Sequence, residues 1–261
     1  MLVPEYGLEG AVERTHSSDV HTPLSEPVPV LTAFHDAVTA ICQLAEQFTA
    51  DSWNAQTPCP EWRAADLAGH LRCIVDDFHE YLDEAPVSRY ARLMGTGAHP
   101  DTLGRKLARQ NAAELAALAD APPLEHIRAF SISARAYASR LPAVWDLPHH
   151  QYRETVVTVA GMAGAACAEW HLHAWDLAMA LSVPYRPTDP AAVLYCWRTG
   201  MPHLPLPTAR AGWWGGLPPR ATDPWHAVLA ASGRPGSAGR AEVGPGPTRA
   251  RLGRLRRARR G

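Results

Sequence analysis

Apolar residues recur at spacings of three and four over long stretches of this chain, and proline-rich breaks separate the stretches. In residues 29–48, for example, the apolar side chains from Leu31 to Phe48 fall on one face of a helix. The segment Thr57-Pro-Cys-Pro-Glu61 ends that helix, because proline lacks the amide hydrogen that a helix interior needs. The pattern predicts a mostly helical protein whose helices each bury one face.

The same period continues further along the chain. It predicts helices over residues 64–82, 102–118, 124–141 and 163–181, with weaker signals at 191–198 and 225–232. A β-prone run, Thr155-Val-Val-Thr-Val159, precedes the helix at 163–181. We therefore predict an antiparallel four-helix bundle with a short irregular or mixed α/β addition at its C-terminal end.

Composition sets the expected boundaries of this bundle. Residues 1–28 are rich in Pro, Ser, Glu and Thr without an apolar period, which predicts a flexible leader. The helical bundle is expected over residues 29–182 and a small extension over residues 183–232. Residues 233–261 consist largely of Gly, Pro, Ala and Arg, so a disordered tail is predicted there.

Charge and apolar content argue against several classes of protein. From Ser237 onward eight arginines stand against one acid, which leaves about −8 for the rest of a chain whose net charge is −1. This mildly acidic remainder argues against nucleic-acid binding. No run of about 18 apolar residues occurs, and no basic segment followed by an apolar stretch, so neither a membrane span nor a secretory signal is predicted. The five widely spaced cysteines argue against a disulfide framework, and a cytoplasmic protein is expected.

Two residues of the helix predicted at 163–181 suit a metal ion. Glu169 and His173 are four residues apart, so their side chains project from the same helix face, one turn apart. A carboxylate oxygen and an imidazole nitrogen placed in this way can reach one cation at about 2.0–2.2 Å. His70 lies on the apolar stripe of the helix at 64–82, and it is the best candidate for a third ligand. Three protein ligands leave an open position, which is typical of a catalytic metal site.

Each of these residues also has a simpler interpretation. A Glu-x-x-x-His spacing arises by chance in a chain with 13 histidines, and a histidine in an apolar stripe is often a core residue. His171 is two residues from His173 and points away from it on a helix, so we interpret it as a surface or packing residue. Asp176, three residues after His173, is interpreted either as an acceptor that orients a ligand or as a cap or surface ion pair.

Two sequence motifs carry a resemblance to a known family. Residues 53–71, Trp-Asn-Ala-Gln-Thr-Pro-Cys-Pro-Glu-Trp-Arg-Ala-Ala-Asp-Leu-Ala-Gly-His-Leu, resemble the opening motif of the mycothiol-dependent maleylpyruvate isomerase N-terminal domain family, which belongs to the DinB-like metal-binding four-helix proteins. Residues 169–178, Glu-Trp-His-Leu-His-Ala-Trp-Asp-Leu-Ala, resemble its later signature. The resemblance covers roughly residues 30–232. Arg63 departs from it, because the family usually has a Ser or Thr helix cap there, so the following helix is expected to begin less cleanly.

The resemblance implies a site and a chemistry. In that family the histidine of the first motif and the Glu and His of the second bind a divalent metal, usually zinc, and by position these are His70, Glu169 and His173. A metal-bound thiol is deprotonated at neutral pH. The resemblance therefore implies a mycothiol-dependent isomerase or S-transferase that acts on a small electrophile. The alternative is a non-catalytic divalent-metal-binding protein of the DinB-like group. We expect a monomer or homodimer with small-molecule partners, a thiol and an electrophile, and without nucleic-acid or membrane partners.

Overall fold

The computed structural model describes residues 27–59, 62–84, 100–118, 120–152, 155–200 and 223–234. The predicted leader, apart from its last two residues, lies outside the described residues, and so does the predicted tail beyond Arg234. The described chain thus continues two residues into the segment that was expected to form the tail. The other domain boundaries stay predictions.

Seven α-helices and a two-stranded sheet make up most of the secondary structure of the described residues. The helices are α1 (Pro27–Ala45), α2 (Ala64–Glu84), α3 (Pro100–Ala117), α4 (Pro123–Arg140), α5 (Val159–Leu181), α6 (Pro190–Gly200) and α7 (Pro224–Ala231). Strands β1 (Pro148–Tyr152) and β2 (Thr155–Thr158) pair antiparallel just before α5. The prediction of a mostly helical fold is confirmed, and the predicted helices are present with ends that differ by a few residues.

One aromatic residue from each of four helices meets the others in the core. The ring centre of Trp170 in α5 lies 6.1 Å from that of Phe34 in α1, 5.6 Å from that of Phe78 in α2 and 5.1 Å from that of Phe130 in α4. All four side chains are buried, and the partner rings meet Trp170 edge-on, which aromatic quadrupoles favour. Helices α1, α2, α4 and α5 therefore share one hydrophobic core. That they form an antiparallel DinB-like four-helix bundle stays a prediction.

Helix α5 is buried on nearly every side, because α1 packs along one face and α6 along another. The approach of α6 is very close at Gly200, where a Cβ atom would lie 2.1 Å from the backbone nitrogen of Ala165. Helix α7 packs in turn on α6. The C-terminal segment of the described chain therefore helps to bury the helix that carries Glu169 and His173.

Helix α1 has the length and apolar composition of a membrane-spanning helix, and it is the one such helix among the described residues. Its apolar face is nonetheless buried inside the protein, where Phe34, Val38 and Ile41 are fully covered. A core helix of a globular protein passes the same test, so α1 is weak evidence for a membrane span.

Candidate metal centre

Helices α2 and α5 bring together the three residues that the sequence predicts as metal ligands. His70 Nε2 and His173 Nε2 each lie 3.6 Å from Glu169 Oε1, and the candidate ligand atoms of all three lie within 4.8 Å of one another. His70 reaches this point because Leu67 and Leu71, its neighbours in the apolar stripe, are fully buried and turn that face of α2 inward. The two histidines are only 4% and 6% exposed, whereas the Glu169 side chain is 14% exposed, so the cluster lies just inside the protein.

The donor atoms and their spacing fit a divalent cation. Two ligand atoms bound at about 2.1 Å in tetrahedral geometry stand about 3.4 Å apart. The distance from each imidazole nitrogen to the Glu169 carboxylate is 3.6 Å, which is close to that value. Imidazole and carboxylate ligands suit zinc, and also iron, nickel or manganese. The three side chains could therefore hold one divalent ion with only small side-chain movements.

A second group of side chains, Cys59, His173 and Asp176, also has the spacing of metal ligands. Arg234 already pairs with the fully buried Asp176 carboxylate, to which it donates from Nε at 2.8 Å and from Nη2 at 2.6 Å. Burial and the nearby Asp176 raise the pKa of Cys59 to about 12, which keeps the thiol protonated and makes it a poor ligand. A cation at this second group would have to displace both the guanidinium and the thiol proton. The group of His70, Glu169 and His173 is the better cation site.

The charge states of the three predicted ligands also suit a cation. Burial opposes the ionisation of Glu169, but the two facing imidazoles outweigh it and lower the pKa of Glu169 to about 2. Burial lowers the pKa of His70, so this imidazole is neutral near neutral pH. Burial also works against protonation of His173, yet the carboxylates of Asp176 and Glu169 outweigh it and raise the pKa of His173. A cation bound here would take the place of the proton that these groups otherwise attract.

A buried chain of hydrogen bonds fixes the orientation of His173. Burial opposes the ionisation of Asp176, but Arg234 and His173 hold the pKa of this carboxyl well below its usual range. Because Asp176 is ionised, His173 Nδ1 donates to its Oδ2 at 3.1 Å, which leaves Nε2 directed at Glu169. Asp176 is therefore an acceptor that orients a candidate ligand, not a surface ion pair. No sequence pattern singles out Arg234, which lies 58 positions after Asp176.

A hydrogen-bonded turn before α2 places Trp62 against His70. The Trp62 carbonyl accepts from the Thr57 hydroxyl at 2.7 Å and from the Gln56 side-chain amide at 2.9 Å. The indole ring centre then lies 4.4 Å from that of His70 and 6.2 Å from that of His173. Trp62 belongs to the first motif, but neither its spacing nor its residue type predicts this contact.

Asp66 contributes to the start of helix α2 at Ala64, directly after the position where Arg63 departs from the family's pattern. The Arg63 amide donates to Asp66 Oδ2 at 2.8 Å, so the carboxylate in the first turn supplies a cap contact from inside the helix. The Arg63 guanidinium also donates to the Asn54 carbonyl at 3.3 Å. The Asp66 carboxylate thus supplies one half of a capping box, whereas Arg63 has no side-chain oxygen to accept from the first amides of the helix. That the helix begins less cleanly stays a prediction.

Comparison with known proteins agrees with the motif resemblance. The family model described as the mycothiol maleylpyruvate isomerase N-terminal domain matches residues 34–178, which is more than half of the chain. The chain belongs to this family. The matched segment contains His70, Glu169 and His173, whereas Arg234 lies beyond it. No curated protein and no solved structure matches the chain.

The other histidine of the second motif has a packing role. His171 is fully buried, and its Nε2 donates to the Ala33 carbonyl at 2.9 Å, which ties α5 to α1. Its Nδ1 accepts from the Tyr185 hydroxyl at 2.6 Å. Burial lowers the pKa of His171 to about 4, so the ring is neutral. Of the two interpretations of this residue, the packing role is correct and the surface position is wrong.

Proposed function

We propose that this protein is a metal-dependent, thiol-using enzyme of the mycothiol type, an isomerase or S-transferase that acts on a small electrophile in the cytoplasm. The proposal is carried by the convergence of His70, Glu169 and His173 on one point. Membership of a family described by mycothiol and maleylpyruvate supports the choice of thiol. A divalent cation at this point, for which zinc suits the ligands, supplies the acidity that converts a bound thiol to its thiolate.

The residues of the site have different roles, namely to supply negative charge, to orient a ligand and to leave a coordination position open. Glu169 contributes a negative charge, because its carboxyl stays ionised at all physiological pH values. Asp176 accepts the Nδ1 proton of His173 and so keeps the Nε2 lone pair available. Three protein ligands leave a further position for the sulfur of the thiol. The Cys59 thiol already has a partner, because its Sγ donates to Asp176 Oδ2 at 3.5 Å.

Elemental analysis of untagged protein, purified without added metal, tests the metal site. We expect stoichiometric divalent metal in the wild-type protein and its loss in His173→Ala. The matched control is His171→Leu, which should keep the metal while its melting temperature falls, because two buried hydrogen bonds are lost. Full metal content in His173→Ala would contradict the proposal.

A titration with mycothiol separates an enzyme from a metal-binding protein without turnover. We expect the thiol to bind the metal-loaded wild-type protein, but neither the metal-free protein nor His173→Ala. Product formation with maleylpyruvate and related electrophiles then identifies the substrate. Bound metal without thiol binding at millimolar concentrations would contradict the enzyme and leave the non-catalytic DinB-like metal-binding protein as the function.

A further inference from the structure

The two histidines of the candidate metal centre are oriented by different means. His173 donates from Nδ1 to Asp176, but Nδ1 of His70 is buried and has no hydrogen-bond partner among the described residues. A histidine that ligates a metal normally uses this second nitrogen to fix the plane of its ring. Among the described residues, contacts other than a hydrogen bond at Nδ1 therefore orient the His70 ring.

Trp62 is placed to hold it. The indole and imidazole ring centres are 4.4 Å apart and their planes are inclined by 37°, so the two rings are in close contact in a tilted arrangement. Trp62 is itself fixed by the turn that precedes α2, in which its carbonyl accepts from Thr57 and Gln56. The Trp62 amide also donates to the Cys59 carbonyl at 3.0 Å. Hydrogen bonds at the backbone carbonyl and amide thus fix the position of Trp62, whose indole lies against the imidazole of His70.

We propose that Trp62 is a positioning residue, which orients His70 by contact between the two rings in place of a hydrogen bond. The inference rests on the proposed function, because it gives a role to a residue that lies against a ligand of the same metal site. An imidazole whose Nε2 binds a cation carries part of the positive charge, and the electron-rich face of indole attracts that charge. Metal affinity should therefore decrease in the order Trp, Phe, Leu at position 62.

Trp53 provides a matched control in the same segment of the chain. Its ring stacks on Phe48 with centres 4.2 Å apart and planes inclined by 18°. It is 8% exposed, so its replacement also removes a large stacked ring from the protein interior. Its stacking partner Phe48 is a partly buried apolar residue, however, and not a candidate ligand. Replacing Trp53 should cost stability without changing the orientation of His70.

The test compares Trp62→Phe, Trp62→Leu and Trp53→Leu by zinc competition with a chelator and by the rate of zinc release in excess chelator. We expect Trp62→Leu to weaken zinc binding about tenfold or more and to speed release, with Trp62→Phe between it and the wild type. Trp53→Leu should keep the affinity and release rate of the wild type while its melting temperature falls. The visible spectrum of the cobalt(II)-loaded protein should shift in Trp62→Leu and stay unchanged in Trp53→Leu.

Equal zinc affinity and release in the wild type, Trp62→Phe and Trp62→Leu would overturn the inference. A loss in Trp53→Leu as large as that in Trp62→Leu would also overturn it, because general destabilisation would then explain both. Failure of the proposed enzyme gives a different result, namely zinc binding by the wild type without thiol binding, which leaves the comparison at position 62 intact. A wild-type protein that binds no zinc overturns both proposals.

Discussion

The buried carboxylate of Asp176 connects the candidate metal ligands to the C-terminal end of the described chain. It accepts from His173 at 3.1 Å and from Arg234 at 2.6 Å, and it has no exposure to solvent. A buried carboxylate needs such a partner, because an unpaired charge inside a protein is costly. Arg234 thus allows Asp176 to stay ionised, and the ionised Asp176 makes His173 a more basic ligand.

Asp176→Asn tests this link, because it removes the charge and keeps the shape of the side chain. We expect zinc affinity to fall about 10- to 100-fold, since an amide accepts the Nδ1 hydrogen bond more weakly than a carboxylate. Competition with a chelator measures the change. The matched control is Asp83→Asn, which breaks an exposed ion pair with Arg140 and should keep wild-type affinity. Unchanged affinity in Asp176→Asn would show that His173 does not depend on this carboxylate.

The predicted ligands and their surroundings differ in how much a sequence reveals about them. Glu169 and His173 lie four residues apart on one helix, and His70 closes a motif, so helical spacing together with the two family motifs selects them. The contact between Asp176 and Arg234 joins residues 58 positions apart, and that between Cys59 and Asp176 joins residues 117 positions apart. Only the folded chain brings such residues together, and arginine is too common in this sequence to mark one position.

At the scale of elements, the tight packing of α6 on α5 supports the helix that carries two of the predicted ligands. A Cβ atom at Gly200 would lie 2.1 Å from Ala165 N and 2.6 Å from Gly161 O, and both of these are backbone atoms. Backbone atoms cannot rotate out of the way, so the two helices would have to separate. The absence of a side chain at Gly200 therefore sets the distance between α5 and α6.

Gly200→Ala should consequently destabilise the protein by about 1–3 kcal/mol. Denaturant unfolding with a constant m-value measures this change. Gly69→Ala is the matched control, because its Cβ atom would meet only the flexible Leu115 side chain, at 2.8 Å. The gain in helix propensity from glycine to alanine, about 1 kcal/mol, would offset much of that contact. Equal losses in the two variants would contradict the close packing at Gly200.

The predicted first residues of α2 and α5 differ in accuracy for a physical reason. Helix α2 has one buried and one exposed face, so its apolar period marks it from Ala64 onward, where the structure also begins it. Helix α5 is buried almost all round, so it lacks a polar face that would mark its start. The structure begins it at Val159, whereas the apolar period predicts residue 163. A helix that is covered on all sides cannot be delimited by amphipathic periodicity.

For the molecule as a whole, buried neutral histidines should make stability depend on pH. Burial lowers the pKa of His149, which is 2% exposed in β1 against Tyr81, to about 4. The ordinary value is 6.5. Below that pH the unfolded chain takes up a proton that the folded protein does not, so stability falls as the pH drops from about 6.5 to about 4. Above about pH 6.5 both states are neutral at this residue, and it adds no pH dependence.

His149→Gln tests this expectation by removing one of the sites of proton uptake. The slope of the unfolding free energy against pH, between pH 6 and pH 4.5, should decrease by up to about 1.4 kcal/mol per pH unit. Denaturant unfolding over that pH range measures the slope. An unchanged slope in His149→Gln would show that His149 takes up its proton equally in both states.

The assembly of the helices is the part of the fold that the sequence leaves open. Helical periods predict which segments are helical, but they carry no information on which helices pack together. The structure pairs α1 with α5 and α2 with α4, and Trp170 contacts an aromatic residue from each of the other three. It also shows that α6 packs on α5 and that α7 packs on α6, where the sequence predicts only a small extension.

X-ray absorption at the zinc edge, on zinc-loaded protein with and without mycothiol, is the decisive measurement. Without thiol, we expect nitrogen and oxygen neighbours from His70, Glu169 and His173. With thiol, we expect one zinc–sulfur distance of about 2.3 Å, which Cys59→Ala should retain because the sulfur belongs to the thiol. A zinc shell without imidazole, or one that contains the Cys59 sulfur and does not change when mycothiol is added, would contradict the proposed metal centre.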